Sequence, residues 1–234
     1  MSDLAAQFAE LAPWVFQFRI GDEDFGGGVS AVGDVRLAQF SKFAPEAKTI
    51  LELGSLEGAH TFLLAAQSSV ERVVAIEGRA ANIRKAELIK RLLDVPKAEL
   101  VQTNLEETDL TTFGNFDAVF CSGLLYHLPE PWKLLAQLPR VAPKLFIWTH
   151  YADELSASEI RHGSRGQVHV EGGIDEPLSG LSGTAYWPTL GSLLSMLTQS
   201  GYKTIEIFHN DVQHPNARAV TLGASVHEFV ERST

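Results

Sequence analysis

The sequence predicts an α/β fold built on a doubly wound, mostly parallel β-sheet. Short apolar runs alternate with helical patterns from about residue 48 to residue 148, which is typical of βαβ units. Hydrophobic residues make up 45% and charged residues 21% of the 234 positions, a composition that suits a globular chain with a sizeable core. A turn-rich stretch at 211–216 between two late apolar runs indicates a hairpin, so one strand near the C-terminus is expected to be antiparallel.

Seven strands and four main helices follow from the apolar periodicity. The strands are predicted at 48–53, 72–76, 99–102, 116–121, 144–148, 204–208 and 217–222. The helices are predicted at 59–68, 79–93, 132–141 and 190–200. Right-handed crossovers would place these helices on both faces of the sheet.

Two segments depart from this alternation. Residues 1–45 are predicted to form an N-terminal cover segment with a first helix, a short strand near 16–20 and a helix near 35–43. Residues 46–234 form the main predicted domain. Within it, the glycine-rich stretch 150–185 has little periodic apolar pattern, and a long insertion of this kind often serves as a lid.

Charge and composition narrow the expected partners. With 19 Lys and Arg against 29 Asp and Glu, the net charge is -10, which disfavours nucleic acid and favours a small-molecule substrate. No apolar run is long enough to span a membrane, and we expect none. The single cysteine, Cys121, and an N-terminus without signal-peptide features indicate a cytoplasmic protein. Whether it is a monomer or a homodimer stays open.

No metal site is expected. The four histidines at 127, 150, 162 and 169 form no pair at helical His-x₃-His spacing, and no carboxylate is matched to them.

The loop after the first core strand, Glu52-Leu53-Gly54-Ser55-Leu56-Glu57-Gly58, is the strongest local signal. Gly54 allows a sharp turn, Gly58 allows close packing at a helix start, and Glu77 ends the second strand where a carboxylate can accept ribose hydroxyls. Leu56 occupies one of the glycine positions that a dinucleotide fingerprint requires. The acidic loop suits a phosphate-free, cationic cofactor, and S-adenosylmethionine has these properties.

Residues 50–61 resemble the first motif of the class I S-adenosylmethionine-dependent methyltransferases, and residues 116–128 resemble their fourth motif. Glu77 matches the acidic residue that ends the family's second strand, and Asn104 stands where the family usually has an Asp beside the adenine. The sequence departs from the pattern at Leu56, which replaces a glycine, and at Asn104 itself. The resemblance implies a Rossmann-like fold, S-adenosylmethionine as cofactor and methyl transfer as the reaction. The cofactor-binding residues expected from it are Glu52, Gly54, Ser55, Gly58, Glu77, Gly78, Asn104, Leu105, Ser122 and Gly123.

His127 is the candidate catalytic residue because an imidazole can remove a proton from a hydroxyl or amine as methyl transfer proceeds. The alternative is that it only shapes the pocket. Tyr126, His150, Tyr151 and Trp187 are the other predicted substrate-pocket residues.

The predicted function is in-line transfer of a methyl group to an oxygen or nitrogen nucleophile, with a small molecule as the substrate. Two alternatives stay open from the sequence: a non-catalytic module that binds S-adenosylmethionine, and a methyltransferase that modifies tRNA. A nicotinamide-dependent oxidoreductase ranks behind both.

Overall fold

The computed structural model describes residues 3–173, 176 and 178–228, which group into two compact units divided between residues 104 and 105. The first unit contains four helices: α1 (Asp3–Glu10), α2 (Val35–Phe43), α3 (Ala59–Ala65) and α4 (Ala80–Leu93). Its strands are β1 (Gln17–Ile20), β2 (Glu23–Gly26), β3 (Thr49–Leu53), β4 (Arg72–Glu77) and β5 (Ala98–Gln102). The strands β1 and β2 form an antiparallel hairpin, whereas β3, β4 and β5 pair in parallel.

The described part of the second unit contains α5 (Pro131–Gln137) and α6 (Leu190–Ser200), with 3-10 turns at Leu110–Phe113, Leu125–His127 and Leu138–Arg140. Its strands are β6 (Ala118–Ser122), β7 (Lys144–His150), β8 (Glu159–Arg161), β9 (Ser164–Val170), β10 (Thr184–Pro188), β11 (Thr204–Asp211) and β12 (Ala219–Ser225). The helix predicted at 132–141 breaks into α5 and a 3-10 turn, because Pro139 cannot donate the backbone hydrogen bond that a continuous helix needs.

Seven strands form one sheet in the order β11-β12-β7-β6-β3-β4-β5, which confirms the predicted fold class. The antiparallel strand is β12, and it pairs antiparallel with β7 on one side and with β11 on the other. It is the antiparallel strand predicted near the C-terminus, and it lies one position inside the edge of the sheet. The burial of the two strands explains the order: Ala219–Ala224 are all buried, as an interior strand requires, whereas β11 alternates partly buried and exposed residues.

The segment 150–185 carries more regular structure than its composition suggests. The strands β8, β9 and β10 form a separate antiparallel sheet in the order β10-β9-β8. None of these three strands is among the seven predicted from the apolar periodicity. No helix in the part of the chain that the structure describes is both long and apolar enough to cross a membrane.

Candidate functional site

The glycine loop after β3 is tied to the end of β4 by three backbone donors. The amides of Gly54 and Ser55 donate to the Ile76 carbonyl at 2.9 and 3.1 Å. The amide of Leu56 donates to Glu77 Oε2 at 2.9 Å. Leu56 has φ +51°, so it takes the left-handed conformation of the glycine that it replaces. The amide of Leu56 is thus engaged by Glu77.

Glu77 lies buried between this loop and the start of α4. Its second oxygen, Oε1, accepts from the amide of Arg79 at 2.8 Å. Burial raises the pKa of this carboxyl despite these hydrogen bonds. Each carboxylate oxygen has two acceptor positions, so both oxygens retain capacity for ribose hydroxyls. Gly78 lies directly between Glu77 and Arg79.

Two buried polar groups beside the loop fit a polar, cationic ligand. The hydroxyl of Ser55 is buried and forms no hydrogen bond, and leaving such a group unsatisfied costs about 1–3 kcal/mol. Glu52 is buried, and burial raises the pKa of its carboxyl to about 7 although Thr61 Oγ1 donates to it at 2.5 Å. A ligand cation would favour the ionised form of Glu52. The donors and acceptors present therefore fit S-adenosylmethionine, the cofactor that the sequence predicts.

Glu57 has a different role from the one that the sequence suggests. Its buried carboxylate accepts from the amide of Val15 at 3.0 and 3.1 Å, from the amide of Phe16 at 2.8 Å and from Lys85 Nζ at 2.9 Å. The structure thus corrects the interpretation of Glu57 as a negative charge facing the cofactor. The carboxylate instead holds the N-terminal segment against the loop.

Asp34 and His60 provide a second attachment for the N-terminal segment. His60 Nε2 lies 3.0 Å from Asp34 Oδ2, at the start of α3. Burial by itself would raise the pKa of Asp34, but hydrogen bonds from His60 and Arg36 outweigh it and the net shift is downward. Asp34 is therefore ionised at neutral pH.

The next predicted cofactor residues follow β5. The amide of Thr103 donates to the Glu77 carbonyl at 3.1 Å, and Asn104 follows as a partly buried residue at the end of the first unit. Leu105 begins the second unit and is buried.

In the second unit, the predicted residues Ser122 and Gly123 lie at the carboxyl end of β6. Ser122 is the last residue of that strand. Gly123 has φ +86°, which favours glycine, and its amide donates to the Trp148 carbonyl at 3.0 Å. The chain then enters the 3-10 turn Leu125–His127.

His127 closes this turn, and its imidazole is bound by a carboxylate from the inserted segment. Glu171 Oε1 and Oε2 lie 3.0 and 3.1 Å from His127 Nδ1. The side chain of His127 is 16% exposed and that of Glu171 is 4% exposed. Glu171 also accepts from Ser179 Oγ at 2.5 Å and from the amide of Gly180 at 2.6 Å.

Aromatic rings surround this turn. The ring centroid of Tyr126 lies 4.5 Å from that of His150, and His150 stacks on Trp187 at 5.5 Å. Trp187 Nε1 donates to the Tyr126 carbonyl at 2.6 Å. Trp148 lies 5.1 Å from His150. Burial lowers the pKa of His150, so this ring is neutral at physiological pH.

The structure thus brings together three of the four predicted pocket residues, Tyr126, His150 and Trp187. The fourth, Tyr151, is buried elsewhere, and its hydroxyl donates to Asn210 Oδ1 at 2.7 Å. Alternation along the chain at the end of β7 explains the separation, because neighbouring residues of an extended chain point to opposite sides. A substrate contact for Tyr151 stays a prediction.

Sequence reasoning missed Glu171, Trp148 and His214, whose ring centroid lies 5.0 Å from that of His150. Glu171 lies 44 residues beyond its partner His127, and no local pattern announces such a pairing. Trp148 ends the predicted fifth strand, so its position at the ligand edge of the sheet was an available signal. Among residues 3–173, 176 and 178–228, no three His, Cys, Asp or Glu side chains group as metal ligands would.

Comparisons with known proteins identify what this chain is similar to. A family model described as a methyltransferase domain matches residues 51–144. The crystal structure of the N-terminal domain of EvdMO1, determined in the presence of SAH (S-adenosylhomocysteine) and D-fucose, is 32% identical to the chain. That match covers 97% of this chain and 98% of the domain, with a TM-score of 0.87. The chain spans only 47% of the full EvdMO1 structure, to which it is 30% identical.

Two further matches cover less of this chain. A tRNA U34 carboxymethyltransferase from Shewanella amazonensis is 35% identical over 92 residues, which cover 39% of this chain and 27% of that enzyme. The Burkholderia thailandensis 1,6-didemethyltoxoflavin-N1-methyltransferase, solved with bound 1,6-didemethyltoxoflavin and S-adenosylhomocysteine, shares the fold at 17% identity. Its TM-score is 0.60, and the match covers 85% of this chain and 79% of that one.

Proposed function

Because the chain belongs to the class I S-adenosylmethionine-dependent methyltransferases, we propose that it methylates a hydroxyl oxygen of a small molecule, with His127 as the general base. The observation that carries this proposal is the imidazole of His127, which is held at Nδ1 by the Glu171 carboxylate and lies against the ring of Tyr126. A hydroxyl must lose its proton as it is methylated, and a positioned imidazole is the side chain best matched to that task near neutral pH.

The first unit supplies the cofactor-binding residues. Glu77 accepts the ribose hydroxyls, the Ser55 hydroxyl finds its missing partner, and the ionised form of Glu52 balances the cofactor's positive charge. When bound, S-adenosylmethionine supplies an electrophilic methyl group on a positively charged sulfur. The other residues of the first unit proposed to bind it are Gly54, Gly58, Gly78 and Asn104, and the second-unit residues Leu105, Ser122 and Gly123 stay predictions.

The second unit removes the proton of the acceptor. As the oxygen–carbon bond forms, the carbon–sulfur bond breaks with its electron pair going to sulfur, and the hydroxyl proton passes to His127. Tyr126, Trp148 and Trp187 give this part of the second unit an apolar, aromatic character. Positive charge on sulfur disperses during the transfer, so such surroundings favour the reaction, and alignment of the acceptor supplies much of the rate.

Two observations support a hydroxyl on a small molecule as the acceptor. D-fucose, in whose presence the EvdMO1 domain was crystallised, is a sugar whose nucleophiles are hydroxyl oxygens and which has no amine. The net charge of -10 disfavours a polyanionic substrate. The inserted segment 150–185 is proposed to cover the acceptor, since it carries Glu171 and leads into β10 with Trp187.

The test is transfer of labelled methyl from S-adenosylmethionine to separate pools of sugars, other small hydroxyl compounds, small amines and tRNA. We expect label in a hydroxyl pool. His127→Gln should lower turnover about 10²–10⁴-fold, the usual contribution of a general base, with unchanged affinity for S-adenosylhomocysteine. His162→Gln is the matched control, because His162 is an exposed ring stacked on Trp132. Label chiefly in tRNA or in amines would overturn the proposed acceptor, and normal turnover of His127→Gln would overturn the base.

A further inference from the structure

We propose that Glu171 is a positioning residue for methyl transfer: it fixes which nitrogen of His127 accepts the proton, so the inserted segment 150–185 supplies a working part of the active site. This inference rests on the proposed function, in which His127 is the base. It goes further by assigning a role to a residue that lies far from the family motifs in sequence.

The geometry of the pair is that of a held imidazole. Both oxygens of Glu171 lie within 3.1 Å of the same ring nitrogen, His127 Nδ1. The carboxylate is almost fully buried, at 4% exposed, so water screens the interaction weakly.

The carboxylate is itself fixed from two further directions. Ser179 Oγ and the Gly180 amide both donate to Glu171 Oε2. Burial would raise the pKa of Glu171, but these donors and His127 outweigh it and the net shift is downward. Glu171 is therefore an anion at neutral pH and can only accept hydrogen bonds.

The loop that carries these donors fits closely against the backbone of the base. A Cβ atom added at Gly180 would lie 2.5 Å from the His127 carbonyl oxygen and 3.3 Å from His127 Cβ. The strand that follows continues this attachment, because the amide of Tyr186 donates to the Leu128 carbonyl at 2.9 Å. The inserted segment thus contacts the backbone at His127 and at the residue after it, Leu128.

An anionic acceptor at Nδ1 determines the chemistry of the ring. Nδ1 keeps its proton toward Glu171, so the neutral ring accepts the substrate proton at Nε2, and the carboxylate then stabilises the imidazolium. Two other titratable groups of the described residues lie near His127: Tyr126, 4.1 Å away between ring centroids, and His150, which the field of His127 affects. Glu171 is the anion that contacts Nδ1 directly.

Glu171 could instead only order the inserted segment, and Glu106 offers a matched control for that role. The hydroxyl of Ser182, three residues beyond Ser179, donates to Glu106 at 2.7 Å. Both acids therefore anchor the same glycine-rich stretch, and Glu171 in addition lies within hydrogen-bonding distance of the imidazole.

The kinetic experiment compares Glu171→Gln with Glu106→Gln in the full chain, using the acceptor that the methyl-labelling experiment identifies. A glutamine amide donates to Nδ1 and favours the wrong tautomer, so we expect kcat to fall roughly 10²-fold. The acid limb of the kcat–pH profile should also shift to lower pH, by about one pH unit, because the imidazolium loses its counter-charge. We expect Glu106→Gln to stay within about threefold of the wild type. Equal losses in the two variants, or an unshifted profile in Glu171→Gln, would overturn the role of Glu171.

A second measurement on the unsubstituted protein covers the case in which Glu171→Gln fails to fold. Nitrogen-15 NMR of the histidine rings, with His127→Gln used to assign the signal, reports the tautomer directly. We expect the Nδ1–H tautomer for neutral His127, and the Nε2–H tautomer would overturn the inference. A protein that shows the Nδ1–H tautomer but methylates no hydroxyl would refute the proposed function alone.

Discussion

Glu57 and Lys85 form a buried ion pair whose nitrogen and oxygen lie 2.9 Å apart, with side chains 0% and 6% exposed. Lys85 Nζ also donates to the Pro13 carbonyl, and Glu57 accepts from the amides of Val15 and Phe16. One pair therefore fixes α4, the glycine loop and the N-terminal segment to each other. The exposed pair of Lys48 and Glu71, also 2.9 Å apart, provides a comparison at the same distance.

Lys85→Met should destabilise the protein by about 3–5 kcal/mol, because it leaves the Glu57 carboxylate buried without a counter-charge. Urea unfolding measures the change. Lys48→Met should stay within about 1 kcal/mol of the wild type, since exposed pairs contribute little. The double variant Glu57→Gln/Lys85→Met should recover part of the loss. A Lys85→Met protein as stable as the Lys48→Met protein would contradict the role of the Glu57–Lys85 pair in holding these elements together.

Gly58→Ala should destabilise the protein more than Gly33→Ala, although both glycines have φ +83°. A Cβ at Gly58 would lie 2.7 Å from the buried ring of Phe62, whereas nothing lies within 4 Å of a Cβ at Gly33. The backbone cost of about 1–2 kcal/mol is common to both, and the overlap with Phe62 adds about 1–3 kcal/mol at Gly58.

Thermal unfolding of the two alanine variants separates these costs. Gly58→Ala/Phe62→Leu should recover some of the overlap cost but none of the backbone cost. Equal destabilisation by the two alanines would show that Gly58 is not required for the packing of α3.

Glu77→Gln should weaken binding of S-adenosylhomocysteine roughly 10- to 150-fold, because a charge-assisted hydrogen bond contributes about 1.5–3 kcal/mol. Isothermal titration gives the affinity. The matched control is Glu99→Gln, which removes an exposed carboxylate on β5 that bonds Arg72 and should leave binding unchanged. Unchanged affinity of Glu77→Gln would remove Glu77 from the cofactor site.

Glu52 should make the stability of the ligand-free protein depend on pH. Its pKa rises from 4.5 to about 7 on folding, so the folded chain binds more protons than the unfolded chain in that interval. The free energy of unfolding should therefore fall by about 3 kcal/mol between pH 4.5 and 7 from this group, and stay level above pH 7. Glu52→Gln removes the term, so its stability relative to the wild type should rise across the same interval. A constant difference from pH 4.5 to 8 would contradict the shift.

The sequence was informative wherever structure follows from local pattern. The positions of Gly54, Glu77 and His127 at or after the ends of strands could be predicted, because strand ends and helix starts are visible in the order of apolar and turn residues. The hairpin was also found, but not the place of β12 in the sheet, because strand order depends on which faces become buried.

The missed partnerships join distant parts of the chain. Glu57 lies in the glycine loop, and nothing in its neighbourhood shows that its partners are Val15, Phe16 and Lys85. Glu171 follows a strand in a segment with weak periodicity. A carboxylate's role depends on the donors that surround it in space, and those donors come from other elements.

The interior position of β12 has a consequence for how the protein is made. Until residues 219–225 leave the ribosome, β7 has no partner on that side, and its unpaired amides and carbonyls form an edge that can pair with other chains. The second unit therefore cannot complete its sheet during most of its synthesis. A nascent chain stalled before residue 219 should be a target for chaperones, because it exposes the apolar strand that β12 later covers.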